Sequence, residues 1–196
     1  VVAAKADAPP VLDGRLDDAC WQAAPPARFE GRAGAIPPET RLFVARDADA
    51  LYFGFERDHA VRNGKALPLH AGHCGAEDTQ VFLDDNFGVA LTDTGRVNSV
   101  ELVASCSGGT LTILHPGGAT LRSAPALTGR WSCAVSTNAA SWSAEIAVPL
   151  AMLATAGVDA ATLEINAIAK NLSGVGPEDT RLIALGSYLP VVNSAA

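Results

Sequence analysis

Three histidines and a cysteine in one long segment are the residues of this chain best suited to binding a metal. His59, His70, His73 and Cys74 all fall within residues 57–78. Imidazole nitrogens and thiolates are preferred ligands of zinc and copper. The alternative is a set of solvated loop histidines. Since a long loop in a compact domain is often functional, we predict that its ligand-binding residues are His59, His70, His73 and Asp78.

Two groups of oxygen-bearing side chains are candidates for a calcium site. Asp47 and Asp49 stand in one turn signal, and Asp84, Asp85 and Asn86 follow an apolar segment later in the chain. Calcium takes about six to eight oxygen ligands, which turns can supply. Asp and Asn also form turns without any metal, because their side chains bond the neighbouring backbone. The residues therefore indicate either a calcium site or ordinary turn chemistry.

The chain contains 4 cysteines, none of them in a Cys-x-x-Cys pair. In an exported protein this even number predicts two disulfides, with a connectivity that the sequence leaves open. The low lysine content and the many Thr, Ser and Gly residues favour export. Buried free thiols are the alternative. The disulfide candidates are Cys20, Cys74, Cys106 and Cys133.

Haem and catalytic chemistry are the remaining possibilities. Met152, the only methionine, could ligate haem together with Lys170. Met152 lies on an apolar turn, however, and core packing accounts for it better. Glu101 and Glu145 are the strand carboxylates that a glycosidase would need to bring together. The chain shows no recognisable Ser/His/Asp or Cys/His signature, so we expect neither haem nor enzyme activity.

The elements that must position these side chains are mostly short strands. Apolar residues alternate along residues 41–56, which predicts a hairpin that turns at residues 47–50. Short helices are predicted over residues 16–24 and 150–156. The class is therefore all-β, an antiparallel β-sandwich of jelly-roll or immunoglobulin-like type with one or two short helices. Its other predicted strands are Thr79–Leu83, Val97–Ser105, Thr110–Leu114, Trp131–Ser136, Trp142–Val148, Thr162–Ile168, Arg181–Leu185 and Tyr188–Val192.

Length and composition limit the class of protein. With 196 residues, 48% hydrophobic and 18% charged, the chain fits one globular domain over residues 1–196. The net charge of -7 argues against a nucleic-acid partner, which would need a basic face. No apolar run approaches the roughly 18–20 residues that span a bilayer. Residues 1–4 could remain after removal of a signal peptide, so we expect an extracytoplasmic location: secreted, periplasmic or on the cell surface.

Five short motifs, in order, resemble family 9 carbohydrate-binding modules and related DOMON-like domains. The family patterns are D-G-x-L-D-D-A-x-W, D-x-x-x-L-Y, D-S-V-E-V-F-L-D, W-x-x-E-I-A-I-P and a late I-N. The resemblance extends over about residues 10–171 and implies a β-sandwich of secreted bacterial proteins. Many members are attached to glycan-degrading enzymes, and some bind calcium. The matching segments are Asp13–Trp21, Arg46–Phe53, Asp78–Asp84, Trp142–Leu150 and Ile165–Asn166.

The aromatic side chains depart from the family pattern. Binders in the family hold a terminal sugar between two aromatic rings, whereas residues 57–78 contain none and both Trp21 and Trp142 fall in scaffold motifs. The leading prediction is a non-catalytic extracellular glycan-binding module that uses this loop. The alternative is a structural or assembly subunit of an extracellular or cell-surface complex or filament, such as a homo-oligomer. In that case the two apolar ends of the chain would add strands to neighbouring molecules. These ends are Val1–Val2 and Leu189–Val192.

Overall fold

The protein is a sandwich of two β-sheets. The computed structural model describes residues 1–29, 39–122, 124–171, 181–184 and 189–193. Two short helices, α1 (Ala19–Ala23) and α2 (Leu150–Thr155), and 3-10 turns at Val81–Leu83 and Ala160–Thr162 accompany the strands. The strands are β1 (Val2–Lys5), β2 (Ala27–Arg28), β3 (Thr40–Arg46), β4 (Ala50–Asp58), β5 (Val61–Arg62), β6 (Lys65–Ala66), β7 (Asn86–Asp93), β8 (Asn98–Ser105), β9 (Thr110–Pro116), β10 (Leu121–Arg122), β11 (Ser132–Thr137), β12 (Ser141–Pro149), β13 (Leu163–Asn171), β14 (Arg181–Ala184), β15 (Leu189–Pro190) and β16 (Val192–Asn193).

The strand order confirms the predicted all-β sandwich. The first sheet runs β11-β12-β4-β3-β1-β16, with β2 also paired to β3. The second runs β10-β9-β8-β7-β13-β14, with β15 also paired to β13, and β5 and β6 form a separate hairpin. The pairings are antiparallel except that β1 lies parallel to both β3 and β16. No helix within the described residues is long and apolar enough to cross a membrane.

The segments near the two ends of the chain pair with each other. Val2 is the partner of Val192, and Ala3 is the partner of Asn193, in the β1–β16 ladder. The assembly alternative relied on these segments being available to a neighbouring molecule. Because these segments are already paired with each other in one sheet, they no longer favour assembly with a neighbouring molecule.

The core lies between the inner faces of the two sheets. Leu51, Phe53 and Phe55 alternate along β4 and are fully buried, as period-2 patterning requires of a sheet face. They face apolar residues of β7, including Phe87, whose ring stacks on that of Phe55 at a centroid distance of 4.4 Å. Burying each such side chain contributes roughly 1.5–3 kcal/mol. These contacts hold the sheets together and fix which side chains point outward.

Helix α1 covers part of the outer face of the first sheet. Trp21 is 2% exposed and packs over Gly54, where an added methyl group would lie 2.9 Å from Leu16 Cδ2 and 3.1 Å from Trp21 Cε3. Glycine is needed here because the covering segment approaches the strand so closely. The N-terminal segment therefore forms a third layer over this sheet.

The predicted strand at Thr79–Leu83 is wrong. Residues 81–83 form a 3-10 turn, and the strand that follows is β7 at Asn86–Asp93, which the sequence analysis did not identify. The apolar side chain of Val81 is fully buried against Val103, Leu111 and Ile113 on the outer face of the second sheet. The apolar side chain of Val81 thus anchors a loop that covers the sheet, instead of lying in a strand. Two ends of the predicted closing strands, Leu185 and Tyr188, lie outside the described residues.

The predicted disulfides are also not formed. Cys20, Cys74, Cys106 and Cys133 are all free thiols. Cys20 lies on α1 and packs in the cluster between this helix and the first sheet, whereas Cys133 packs against the core between the sheets. Cys106 donates a hydrogen bond through Sγ to the carbonyl oxygen of His70 at 3.2 Å. Burial raises the pKa of Cys20 to about 11 and those of Cys106 and Cys133 to about 12.

We expect one fast-reacting thiol in the native protein. Cys74 is exposed, whereas Cys20 and Cys106 are buried and Cys133 is partly buried. Burial raises the pKa of these three thiols and keeps them protonated, and the thiolate is the reactive form. Titration with Ellman's reagent should modify Cys74 within minutes and all four cysteines after denaturation. A denatured, unreduced protein that gives no thiol signal would instead indicate two disulfides.

Candidate functional site

Three of the predicted ligand-binding residues meet in one hydrogen-bonded loop network. His70 and His73 lie beside Asp84 and Asp85, where the 69–85 loop packs on the end of β8. The His70 backbone N–H donates to Asp85 Oδ2 at 2.8 Å, and the His73 backbone N–H donates to Asp84 Oδ2 at 2.9 Å. The structure thus brings His70, His73, Asp78, Asp84 and Asp85 together, but it uses backbone groups and carboxylates to do so.

Asp84 is the centre of this loop network. It is 2% exposed, and its Oδ2 accepts hydrogen bonds from the Gly72 N–H at 3.1 Å, the His73 N–H at 2.9 Å and Ser107 Oγ at 2.7 Å. Burial alone would raise the pKa of Asp84. The donors from His73, Ser107 and Gly72 outweigh burial and hold the pKa below its usual value. Asp84 is therefore a charged group that fixes the loop.

Asp78 has a similar local role. Its Oδ1 accepts the Gln80 N–H at 2.8 Å, and its Oδ2 lies 3.2 Å from His73 Nδ1. Asn86 donates through Nδ2 to the carbonyl oxygens of Val81 at 3.2 Å and Asp84 at 2.8 Å. These contacts fix the turn before β7. Side chains predicted to hold a ligand are therefore engaged in holding the loop.

His59 is placed on the first sheet and not in the loop network. Its backbone N–H donates to the Ala140 carbonyl at 2.7 Å, and its Nε2 lies 2.8 Å from the Asn138 carbonyl oxygen. Since a carbonyl can only accept, Nε2 carries a hydrogen. His59 thus extends the β4–β12 pairing by one residue beyond each strand.

The first predicted calcium group forms a turn. Asp47 Oδ1 accepts the N–H groups of Asp49 and Ala50, both at 2.8 Å, and Oδ2 accepts the Tyr52 hydroxyl at 2.6 Å. Burial works against ionisation of Asp47, but these donors keep its pKa lowered. Among the residues described here, no group of three or more His, Cys, Asp or Glu side chains is arranged to hold a metal. Calcium binding stays a prediction.

The other chemistry-bearing residues lie in separate places. Met152 is 1% exposed in the core, and Lys170 Nζ donates to the Phe82 carbonyl at 2.6 Å. Glu101 points outward from the second sheet, where its Oε2 is 4.0 Å from His115 Nε2. Glu145 points outward from the first sheet, under the N-terminal segment. The two glutamates are therefore on opposite faces of the sandwich.

A cleft of about 690 Å³ opens on the outer face of the first sheet. We call it the outer cleft. Its wall is the N-terminal segment over residues 15–26, and its floor contains Phe43, Glu56 and Ser143. Residues 136–138, the last two residues of β11 and the one that follows, line one end of the cleft. This site could not be predicted from the sequence because residues far apart in the chain form it, and because the alternation that contains Phe43 indicates only a strand of the central hairpin.

Glu145 holds the wall of the outer cleft in place. This side chain is fully buried, and its carboxylate accepts the indole N–H of Trp21 at 2.8 Å and the backbone N–H groups of Asp13 at 2.9 Å and Gly14 at 2.8 Å. Burial raises the pKa of Glu145, although the three donors oppose the shift. Ser143 Oγ donates to the Gly14 carbonyl at 2.6 Å from the neighbouring position on β12. The wall is thus tied to the sheet at several points.

A row of paired polar residues runs across four strands, and three of them, Glu56, Ser143 and Ser136, line the outer cleft. Arg41 on β3 is the partner of Glu56 on β4, Glu56 is the partner of Ser143 on β12, and Ser143 is the partner of Ser136 on β11. Arg41 Nη2 and Glu56 Oε2 form an ion pair at 2.9 Å. Phe43 lies beside this row, directly opposite Gly54. Polar groups and one partly exposed aromatic ring therefore share the floor.

Comparisons with known proteins identify the fold. No protein-family model matches the chain, and no curated protein matches it at a significant level. A "putative carbohydrate-binding protein" of Bacteroides uniformis has a similar structure, with a TM-score of 0.73 at 10% identity over 98% of this chain and 97% of that one. A family 9 carbohydrate-binding module of Caldicellulosiruptor kristjanssonii, solved with cellotriose, gives a TM-score of 0.61 at 8% identity over 100% of this chain and 94% of that chain.

The glucose complex of a Caldicellulosiruptor kristjanssonii family 9 module gives the same TM-score of 0.61 at 8% identity, over 100% of this chain and 97% of that one. At such low sequence identities, structural similarity shows a shared fold and nothing more. The chain is therefore a β-sandwich with the fold of family 9 carbohydrate-binding modules, as the five sequence motifs predicted. Function has to be argued from the surfaces of this chain itself.

Proposed function

We propose that this protein is a non-catalytic glycan-binding module that acts outside the cytoplasm. The observation that supports the proposal is the extent of the structural likeness. The similar structures include modules solved with cellotriose and with glucose, and the match takes in 98–100% of this chain. The same sandwich therefore accounts for nearly all of the chain, and polymeric glycans of the cell surface or surroundings are its proposed ligands.

The positions of the two strand glutamates support a non-catalytic role. A glycosidase needs two carboxyl groups about 5–10 Å apart, facing one substrate. Glu101 and Glu145 lie on opposite outer faces of a sandwich whose sheets are about 10 Å apart. Glu145 is also fully buried and engaged by three N–H donors. This pair cannot act together on a glycosidic bond.

A glycan array with the monomeric protein tests the proposal. We expect specific retention of at least one oligosaccharide class, followed by a binding isotherm in solution. The array is run with calcium and again with EGTA, so that a loss of signal in EGTA would support the predicted calcium site. An array without any specific signal under either condition, repeated with two independent preparations, would contradict the proposed function.

A further inference from the structure

We propose that the outer cleft is the glycan-binding site and that its ligand is an uncharged oligosaccharide. This inference rests on the proposed function and adds to it a location and a class of sugar. It differs from the sequence-based prediction, which placed the ligand on the 57–78 loop. The shape, the chemistry, the charge and the rigidity of the cleft each support it.

The cleft has the shape of a site for a short sugar chain. Its polar floor row, Glu56, Ser143 and Ser136, crosses β4, β12 and β11 through paired positions. Since neighbouring strands lie about 4.8 Å apart, the row is about 10 Å long. The N-terminal segment borders the row along one side. An extended oligosaccharide lying across the strands would contact the floor and the wall at once.

The side chains of the cleft suit the two kinds of surface that a sugar ring presents. Ring faces carry C–H groups, which pack on aromatic rings, and ring edges carry hydroxyl groups. Phe43 and Leu16 are both partly exposed in the cleft and provide apolar contact. Gln22, Thr137 and Glu56 provide donors and acceptors around them. The cleft therefore offers both an apolar surface and hydrogen-bonding groups to a sugar ring.

The charges of the cleft favour an uncharged sugar. Arg41 is paired with Glu56 at 2.9 Å, and Arg15 and Asp17 stand near each other in sequence on the wall. The chain as a whole carries -7, which repels acidic polysaccharides from a distance. A glycan rich in carboxylates or sulfates would therefore lose affinity here, whereas a neutral one would not.

The cleft is also held rigid before any ligand arrives. Glu145 and Ser143 tie the wall to β12 through four hydrogen bonds of 2.6–2.9 Å. A preformed site spends less of its binding free energy on ordering side chains.

The test combines cleft variants with loop variants. Phe43→Leu keeps apolar volume but removes the ring, and Glu56→Gln keeps the shape but removes the charge. His70→Ala and His73→Ala alter the rival loop. The probes are cellotriose, xylotriose and mannotriose as uncharged sugars and trigalacturonate as an acidic one, titrated calorimetrically. We expect an uncharged probe to bind, and each cleft variant to weaken that binding by about tenfold, with the loop variants within about twofold of wild type.

Hydrogen exchange provides a second measurement that does not depend on any variant. The bound trisaccharide should slow amide exchange in residues 15–26 and 136–138 and leave residues 69–78 unchanged. Binding that survives both cleft changes, protection confined to the loop, or binding of trigalacturonate alone would overturn the cleft assignment and leave the proposed function standing. Failure of all four probes together with an empty glycan array would overturn both.

Discussion

Replacing Glu145 by alanine is expected to lower the free energy of unfolding by about 3–5 kcal/mol, the largest effect of any polar substitution proposed for this protein. The change removes the acceptor of three N–H groups, from Asp13, Gly14 and the Trp21 indole. A buried donor left without a partner costs roughly 1–3 kcal/mol. Three such losses at one site add up to a substantial fraction of a typical domain's stability.

Thermal unfolding measures this effect directly. For a domain of this size, each kcal/mol shifts the Tm by about 2–4 °C, so the variant should melt about 10 °C below wild type. Asp7→Ala is the control, because Asp7 is a carboxylate whose side chain is 87% exposed and pairs with a similarly exposed Lys5. Exposed ion pairs contribute little to stability, and the control should melt close to wild type.

The same variant separates a local from a global role for Glu145. If Glu145 acts by tying down the N-terminal segment, hydrogen exchange should rise first in residues 13–24, before the strands of the second sheet. Sugar binding in the outer cleft should weaken as well, since the wall then loses its fixed position. A variant that melts within about 2 °C of wild type would contradict the account of these three hydrogen bonds.

The strands with clear alternation were predictable from sequence. The 41–56 hairpin and the Trp142 strand follow from period-2 burial, and the structure places β3, β4 and β12 over those residues. Glu145 fell within the W-x-x-E scaffold motif, so its position on a strand was expected. Its three donors come from residues more than 120 positions earlier in the chain, and no local pattern reports such a contact.

The errors have a common physical cause. Val81 has the hydrophobicity of a strand residue, but it is buried as a loop residue against the outer face of the second sheet. An even number of cysteines suggested disulfides, yet Cys20 and Cys133 belong to different layers of the fold. In each case the amino-acid type indicated burial correctly. What the type could not indicate was the partner, which depends on tertiary packing.

Acid should destabilise the protein through Asp84, and Asp84→Asn should remove part of that sensitivity. Burial disfavours the charge of Asp84, but the donors from His73, Ser107 and Gly72 keep its pKa below the ordinary value of 3.8. A carboxylate whose pKa is lower in the folded state stabilises the fold above its unfolded pKa. That stabilisation is lost as the pH falls through the folded-state pKa. The contribution is therefore complete at neutral pH and fades below about pH 4.

The amide that Asp84→Asn introduces keeps one acceptor oxygen but has no charge to lose, so the difference between the two proteins must depend on pH. At pH 7 we expect Asp84→Asn to be less stable by about 1.5–3 kcal/mol, the usual contribution of hydrogen bonds to a charged group. As the pH is lowered from 7 to well below 4, the Tm of wild type should fall more steeply at the acid end, and the two curves should converge. Asp17→Asn, at an exposed position, is the control, and its Tm should change with pH in the same way as that of wild type. A Tm difference for Asp84→Asn that stays constant across this range would mean that the loop is held by shape alone and that the charge of Asp84 contributes nothing to it.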